Sequence, residues 1–260
     1  MQYVKKLIND YNISCDFNNT YAMIYAENQK ELDEIKEEYE AYKKLNIPCE
    51  LIYDLPHRII GLGGLKVYNQ FNINPVKYLN FLLEKLLEKR VKIYQYTNAV
   101  DIKENDDGNI IITEYGYKIS AKKIVITTGY PFFDGGGLYF TRLAPYRSYL
   151  VAFPNANEND AMLISNSSSP YSIRFSDTDG IKYLLVRGKG HKVGQEESAR
   201  GSYDELINFG RKYFNVTDVE YRWSAQDYES LDKIPYVGHI TSKHKDIFVA
   251  TGFRKWGKVI

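Results

Sequence analysis

The sequence has 260 residues, 44% hydrophobic and 26% charged, the proportions of a globular chain and too apolar for a disordered one. Its 34 basic and 33 acidic residues leave a formal charge of +1, so the bulk basic excess of a duplex-binding protein is missing. No apolar run is long enough to span a bilayer, and MQYVKKLIND has no apolar stretch behind it to form a signal peptide.

Cys15 and Cys49 lie too far apart for a C-x-x-C pair, and two cysteines make no disulfide framework in a chain this size. A reducing, cytoplasmic location is the expectation, with neither nucleic acid nor membrane as partner. The 24 tyrosines suit strand faces, where β-propensity favours them; an aromatic ligand pocket is the alternative.

In chain order, Val4, Leu7, Ile8 and Tyr11 repeat at helical spacing. TYAMIYA (20–26) reads as a strand. Asn28 with Glu31 forms a capping box ahead of a helix whose apolar face is Leu32, Ile35, Tyr39, Tyr42 and Leu45. A strand over 50–53 and an extended stretch over 59–67 come next. Asn74 and Pro75 then supply the cap and first residue of a helix running to about Lys89.

From Val91 the period changes to two. KIYQYT, AVDIKE, NIIITEY and KISAKKIVITT read as strands, with hairpin signals at Asp106-Asp107-Gly108 and Tyr115-Gly116. A long strand is predicted over 138–153, two more near 171–175 and 181–187, and a helix capped by Ser202 with Glu205. Strands around 219–223, 235–237 and 247–250 close the chain. Extended segments with few β-α alternations predict an α+β fold.

Phosphate and metal motifs are missing. Gly61-Leu62-Gly63-Gly64 and Gly135-Gly136-Gly137 match neither G-x-G-x-x-G nor a P-loop and read as turns. His239 and His244 have a zinc-finger gap but no cysteine pair before them. There is no G-x-S-x-G elbow, and Ser167-Ser168-Ser169 reads as a polar loop. Two segments share a pattern. Ala121–Gly129 (AKKIVITTG) and Ile247–Gly257 (IFVATGFRKWG) are each a short apolar strand ending in Thr-Gly. Either is a buried strand with its turn, or a place where small residues let the backbone approach a phosphate.

The pair resembles the late flavin-domain strands of the D-amino acid oxidase and glycine oxidase family of FAD-dependent oxidoreductases. There a strand ending in Thr-Gly follows a three-stranded meander, and a strand followed by Thr-Gly-Phe-x-x-Trp-Gly closes the flavin site. Trp223–Tyr228 and Asp232–Gly238 resemble the run before that last strand. Gly188–Lys192 and Tyr139–Leu143 resemble the branch often fused to a C-terminal Rieske domain.

The resemblance implies an α+β substrate domain (13–90 and 135–222) with a large mixed or antiparallel sheet and flanking helices. It also implies an incomplete FAD-binding domain of glutathione-reductase type (1–12, 91–134 and 223–260). FAD is the implied cofactor and a small amine or amino-acid-like molecule the implied substrate, losing a hydride to the flavin. Val100 would face the adenine; Thr128 and Gly129 the diphosphate and ribose; Gly252, Phe253, Lys255, Trp256 and Gly257 the ribityl and isoalloxazine. Tyr171, Arg174, Arg147, His191 and Gln226 would face the substrate, and no residue is an obvious catalytic base.

The departures are equally specific. The family's N-terminal strand-G-x-G-x-x-G-helix unit, which sets the diphosphate on a helix N-terminus, is not in the sequence. Gln226 stands where amino acid oxidases of this type place an arginine that grips the substrate carboxylate. The expectation is a piece of a flavoenzyme, inactive or weakly FAD-binding by itself, whose unpaired strand edges invite self-association. The alternatives are a non-catalytic binding domain that keeps the fold, and a chain that works with a separate Rossmann-bearing partner.

Overall fold

The computed structural model describes residues 2–57, 59–105, 108–156, 161–195 and 199–254. The chain divides into a larger unit, Gln2–Lys85 with Ser148–Ala225, and a smaller one, Leu86–Arg147 with the chain from Gln226 onward. Helix α1 (Gln2–Tyr11) leads into strand β1 (Asn18–Ala26), helix α2 (Gln29–Lys44), strands β2 (Cys49–Ile52) and β3 (Gly63–Asn72), and helix α3 (Pro75–Glu88). Strands β4 (Ala99–Asn105), β5 (Gly108–Thr113), β6 (Lys118–Ala121) and β7 (Ile124–Ile126) follow. The chain then forms α4 (Tyr139–Arg142), β8 (Leu143–Phe153), β9 (Ala161–Ser165), β10 (Ser172–Thr178), β11 (Ile181–Lys192) and α5 (Ala199–Phe214). Strands β12 (Tyr221–Ser230), β13 (Tyr236–His239) and β14 (Ile247–Thr251) end it.

Local chemistry sets the first helices as the sequence predicts. Asn28 Oδ1 accepts from Glu31 N at 3.1 Å, while the Glu31 carboxylate accepts from Glu27 N at 2.8 Å, a reciprocal cap on α2. Asn74 Oδ1 accepts from Val76 N and Lys77 N at 3.1 and 3.2 Å, with Pro75 where no amide hydrogen is needed.

An eight-stranded sheet runs β12-β8-β11-β10-β9-β1-β3-β2, and the boundary between the units falls inside β8 and β12. β1 pairs parallel to β9 and antiparallel to β3; β10 pairs antiparallel to β9 and β11. In the larger unit α5 packs Leu206 into a core with Phe153, Ile173, Leu184 and Val186, all at most 1% exposed. Burying each such side chain contributes roughly 1.5–3 kcal/mol. Gly210 lets α5 approach, because a Cβ there would fall 2.5 Å from Phe153 Cζ. Leu32 and Ile35 of α2 pack on Ala26 and Leu65.

The smaller unit holds two three-stranded sheets, β4-β5-β6 and β13-β14-β7. Its core is Ile102, Ile124, Ile126, Tyr139, Leu143, Ile240, Ile247 and Val249. The mixed α+β arrangement with a large, mostly antiparallel sheet is the expected one.

Several elements differ from expectation. KIYQYT forms no strand: Tyr94 and Tyr96 are 59% and 96% exposed, and alternation without a partner leaves the backbone to water. The strand expected over 138–153 starts at Leu143. Asp134 accepts from Leu138 N and Tyr139 N at 2.9 and 2.8 Å and nucleates α4 instead. β9 was not expected; it exists because β1 and β10 hold it on both sides. The stretch over 59–67 becomes strand only from Gly63, and the strand near 219–223 runs instead from Tyr221 to Ser230. Ser202 does not stand at the start of α5; it is buried within it, behind Ala199 and Arg200.

Candidate functional site

The parallel pair β7 and β14 sets the site in the smaller unit. Its register, Ile124 with Ile247 and Ile126 with Val249, brings the two carboxyl ends together, although some 120 residues separate them in sequence. Crevices beyond the carboxyl ends of parallel strands are where α/β sheets take ligands. Here the crevice is a cleft of about 500 Å³ lined by Thr127, Thr128, Gly129, Gln226, Asp227, Tyr228, Ala250, Thr251, Gly252, Phe253 and Arg254.

Both Thr-Gly turns are left-handed, with φ +80° at Gly129 and +76° at Gly252. That conformation costs a glycine least. A Cβ on Gly129 would meet nothing closer than Tyr228 Cδ2 at 4.0 Å, so the backbone there stands open. Thr251 Oγ1 donates to the Gly129 carbonyl and ties the turns together. Thr128 Oγ1 donates to the Tyr130 carbonyl at 2.6 Å, and the Tyr130 ring lies 5.3 Å from that of Tyr228.

On β12, Gln226 Nε2 donates to the Tyr228 hydroxyl at 2.9 Å, and Gln226 Oε1 lies 3.5 Å from Arg147 Nη2. Arg254 N donates to the Tyr228 carbonyl at 2.9 Å, and its guanidinium pairs with Glu229 at 3.3 Å. Val100 sits at a bulge in β4: Ala99 faces Thr113 and Asp101 faces Ile112, leaving Val100 no opposite residue. Bulges re-aim groups away from a ladder.

The structure therefore brings Thr128, Gly129, Gln226, Gly252 and Phe253 to one cleft, with Arg147 in contact through Gln226. Val100 lies on the separate meander sheet. Lys255, Trp256 and Gly257 lie outside the described residues. The larger unit places its three candidates in different surroundings. Arg174 lines a cleft of about 270 Å³ with Asp16, Asn74 and Lys182; its Nη2 donates to the Ile73 carbonyl, and burial pushes its pKa down. Tyr171 stacks on Phe209 of α5. His191 Nε2 lies 3.1 Å from the Tyr149 hydroxyl, and its ring stacks on Tyr149.

Sequence reasoning did not single out Thr127, Asp227, Tyr228, Thr251 or Arg254 as lining residues. The repeat of strand plus Thr-Gly was the available signal for Thr251; Tyr228 and Asp227 reach the cleft only through the pairing of β12.

Residues 1–259 match the family described as DAO, FAD dependent oxidoreductase. The chain belongs to that family. The DAO match spans both units, and FAD is the cofactor the family's description names. YhfW of Bacillus subtilis (strain 168), which carries the name of a Rieske 2Fe-2S iron-sulfur protein, is 33% identical over 258 residues. That match covers 99% of this chain but 50% of the relative, so the chain spans about half the length of this curated relative.

Glycine oxidase from Geobacillus kaustophilus superposes with a TM-score of 0.80 at 15% identity, covering 98% of this chain and 71% of that one. L-Proline dehydrogenase from P. horikoshii also gives 0.80, at 17% identity, covering 97% and 71%. NikD, an amino acid oxidase essential for nikkomycin biosynthesis, gives 0.80 at 11% identity, covering 98% and 74%. These likenesses establish the fold. No described helix is long and apolar enough to cross a membrane, and no cluster of metal-binding side chains occurs among the described residues.

The cleft fits one wall of an FAD site. The Gly129 turn presents open backbone without a Cβ, as close approach of a dinucleotide requires.

Proposed function

We propose that this chain forms part of a flavin-dependent oxidoreductase acting on a small amine or amino-acid-like molecule. The observation that carries the proposal is the pair of left-handed Thr-Gly turns set side by side around one cleft. When bound, FAD supplies the electron sink for hydride removal from a carbon beside nitrogen.

The chain's own residues bind and orient. Thr128 and Gly129 offer backbone to the diphosphate and ribose, and Gly252 and Phe253 line the ribityl and ring system. By the family resemblance Lys255, Trp256 and Gly257 continue that wall, and the bulged backbone at Val100 serves the adenine. Gln226 cannot grip a carboxylate as a guanidinium does, but Arg147 beside it brings the missing charge. The larger unit is the substrate domain, with Tyr171, Arg174 and His191 as its candidate contacts. β7 is the edge of its sheet, with Val125 63% exposed, and self-association through that edge would appear in size-exclusion chromatography.

These 260 residues alone should hold FAD weakly. A helix N-terminus in a glycine-rich loop gives a diphosphate about three charge-assisted hydrogen bonds. At roughly 1.5 kcal/mol each, their loss weakens binding about a thousandfold. Because neither glycine cluster has that loop's spacing, a second reading stands beside the first: a binding domain that keeps the fold without the cofactor.

Titrating FAD into the purified chain and into Gly129→Val separates the two. The flavin reading expects weak, saturable quenching of flavin fluorescence that the valine abolishes. Identical titrations, or no saturation in either protein, support the second.

A further inference from the structure

A cavity of about 350 Å³ lies wholly within the larger unit and shares no residue with the Thr-Gly cleft. Its walls are Tyr25, Tyr171, Phe209 and Tyr213, with Ile59 and Ile60 completing the apolar part. Among the described residues lining it, Glu27 is the one that is charged.

The rings are held in place. Tyr171 and Phe209 stack with centroids 4.4 Å apart and planes 7° apart, and Tyr213 tilts against Phe209 at 4.8 Å. Tyr25 is 1% exposed and packs as a wall of the cavity, with Ser165 beside its hydroxyl. The neighbouring Ser165 Oγ is already engaged by the Tyr171 amide and Ser167.

Among the described lining residues the charge is negative. Glu31 accepts from the Glu27 amide, and partial burial and the Glu31 charge together raise the Glu27 carboxyl above its ordinary pKa. Lys189, which acts on Tyr171, is paired with Glu205 at 2.6 Å. Ring faces carry negative potential, and a cation over them is attracted most when desolvated. A hard metal ion would need six or more oxygen ligands, which these walls do not offer. An anion would meet Glu27.

We propose that this cavity binds a small organic ammonium ion. The alkylated nitrogen lies against Tyr171, Phe209 and Tyr213, and Glu27 answers its charge. The assignment goes beyond the flavin reading, in which Tyr171 alone of these walls is a substrate candidate, and binding is read without flavin.

The test is calorimetric titration of the full chain with choline and with 3,3-dimethylbutan-1-ol, which replaces the charged nitrogen by carbon in the same shape. Choline should bind saturably and the neutral alcohol at least roughly tenfold more weakly. Glu27→Gln removes the charge, and Tyr213→Leu keeps apolar bulk while removing a ring face. Each should weaken choline about fivefold with an unchanged circular dichroism spectrum. Equal affinity for the two compounds, no saturable heat with choline, or full affinity in either variant overturns the assignment.

Discussion

Replacing Gly252 by alanine tests the geometry of the cleft directly. The residue has φ +76°, and a side chain in that region costs roughly 1–2 kcal/mol. The added Cβ would also lie 3.2 Å from Leu143 Cδ2 and 3.4 Å from Ser230 Cβ. Both neighbours are buried, Leu143 at 5% and Ser230 at 2% exposure, so neither yields freely and overpacking adds about 1 kcal/mol. The expected loss is about 2–3 kcal/mol. Gly129 is the internal control. Its φ is +80°, but its Cβ would have 4.0 Å of clearance, so Gly129→Ala should lose only the conformational 1–2 kcal/mol. Urea unfolding followed by circular dichroism measures both, with the slope checked for constancy. If Gly252→Ala costs no more than Gly129→Ala, the packing of the Thr-Gly turn against β8 and β12 is not as described.

Two further predictions concern the larger unit. Gly210→Ala should destabilise by about 1–3 kcal/mol in a thermal or urea melt, although alanine is the better helix former, because its Cβ would fall 2.5 Å from the fully buried Phe153 ring. A gain in stability would contradict the close approach of α5. Glu27 has a raised carboxyl pKa, so the folded state binds its proton more tightly than the unfolded chain does. The resulting stabilisation is complete below the ordinary value of 4.5 and is lost as pH rises through the raised one. Glu27→Gln should therefore gain stability relative to the parent at pH 7 and lose that advantage at pH 4. The size is a few tenths of a kcal/mol, since the side chain is largely exposed to solvent screening. An advantage at pH 4 as large as that at pH 7 would refute it.

Elements governed by neighbouring residues were legible in the sequence. The Asn28–Glu31 box and the Asn74–Pro75 start each complete their hydrogen bonds within four residues, so no tertiary context can easily override them. The β4–β6 meander follows from its alternation and the Tyr115-Gly116 turn for the same reason, while Asp106 and Asp107 lie outside the described residues. KIYQYT has the same alternation and no strand, because a strand needs a partner and pattern does not supply one. β9 is the converse: five residues, AMLIS, become a strand because β1 and β10 hold them on both sides.

The sequence by itself determined the family pattern, the two strands that end in Thr-Gly, and the helix caps, all written in residues close together along the chain. Only the tertiary structure decided that the two Thr-Gly turns share a cleft, and that Tyr171, Arg174 and His191 have separate surroundings. Parallel register between β7 and β14 is a contact across more than a hundred residues, fixed by burial of Ile124, Ile126, Ile247 and Val249 together. The hydrophobic effect that drives such burial is non-directional, so the apolar residues record that they are buried but not against which strand.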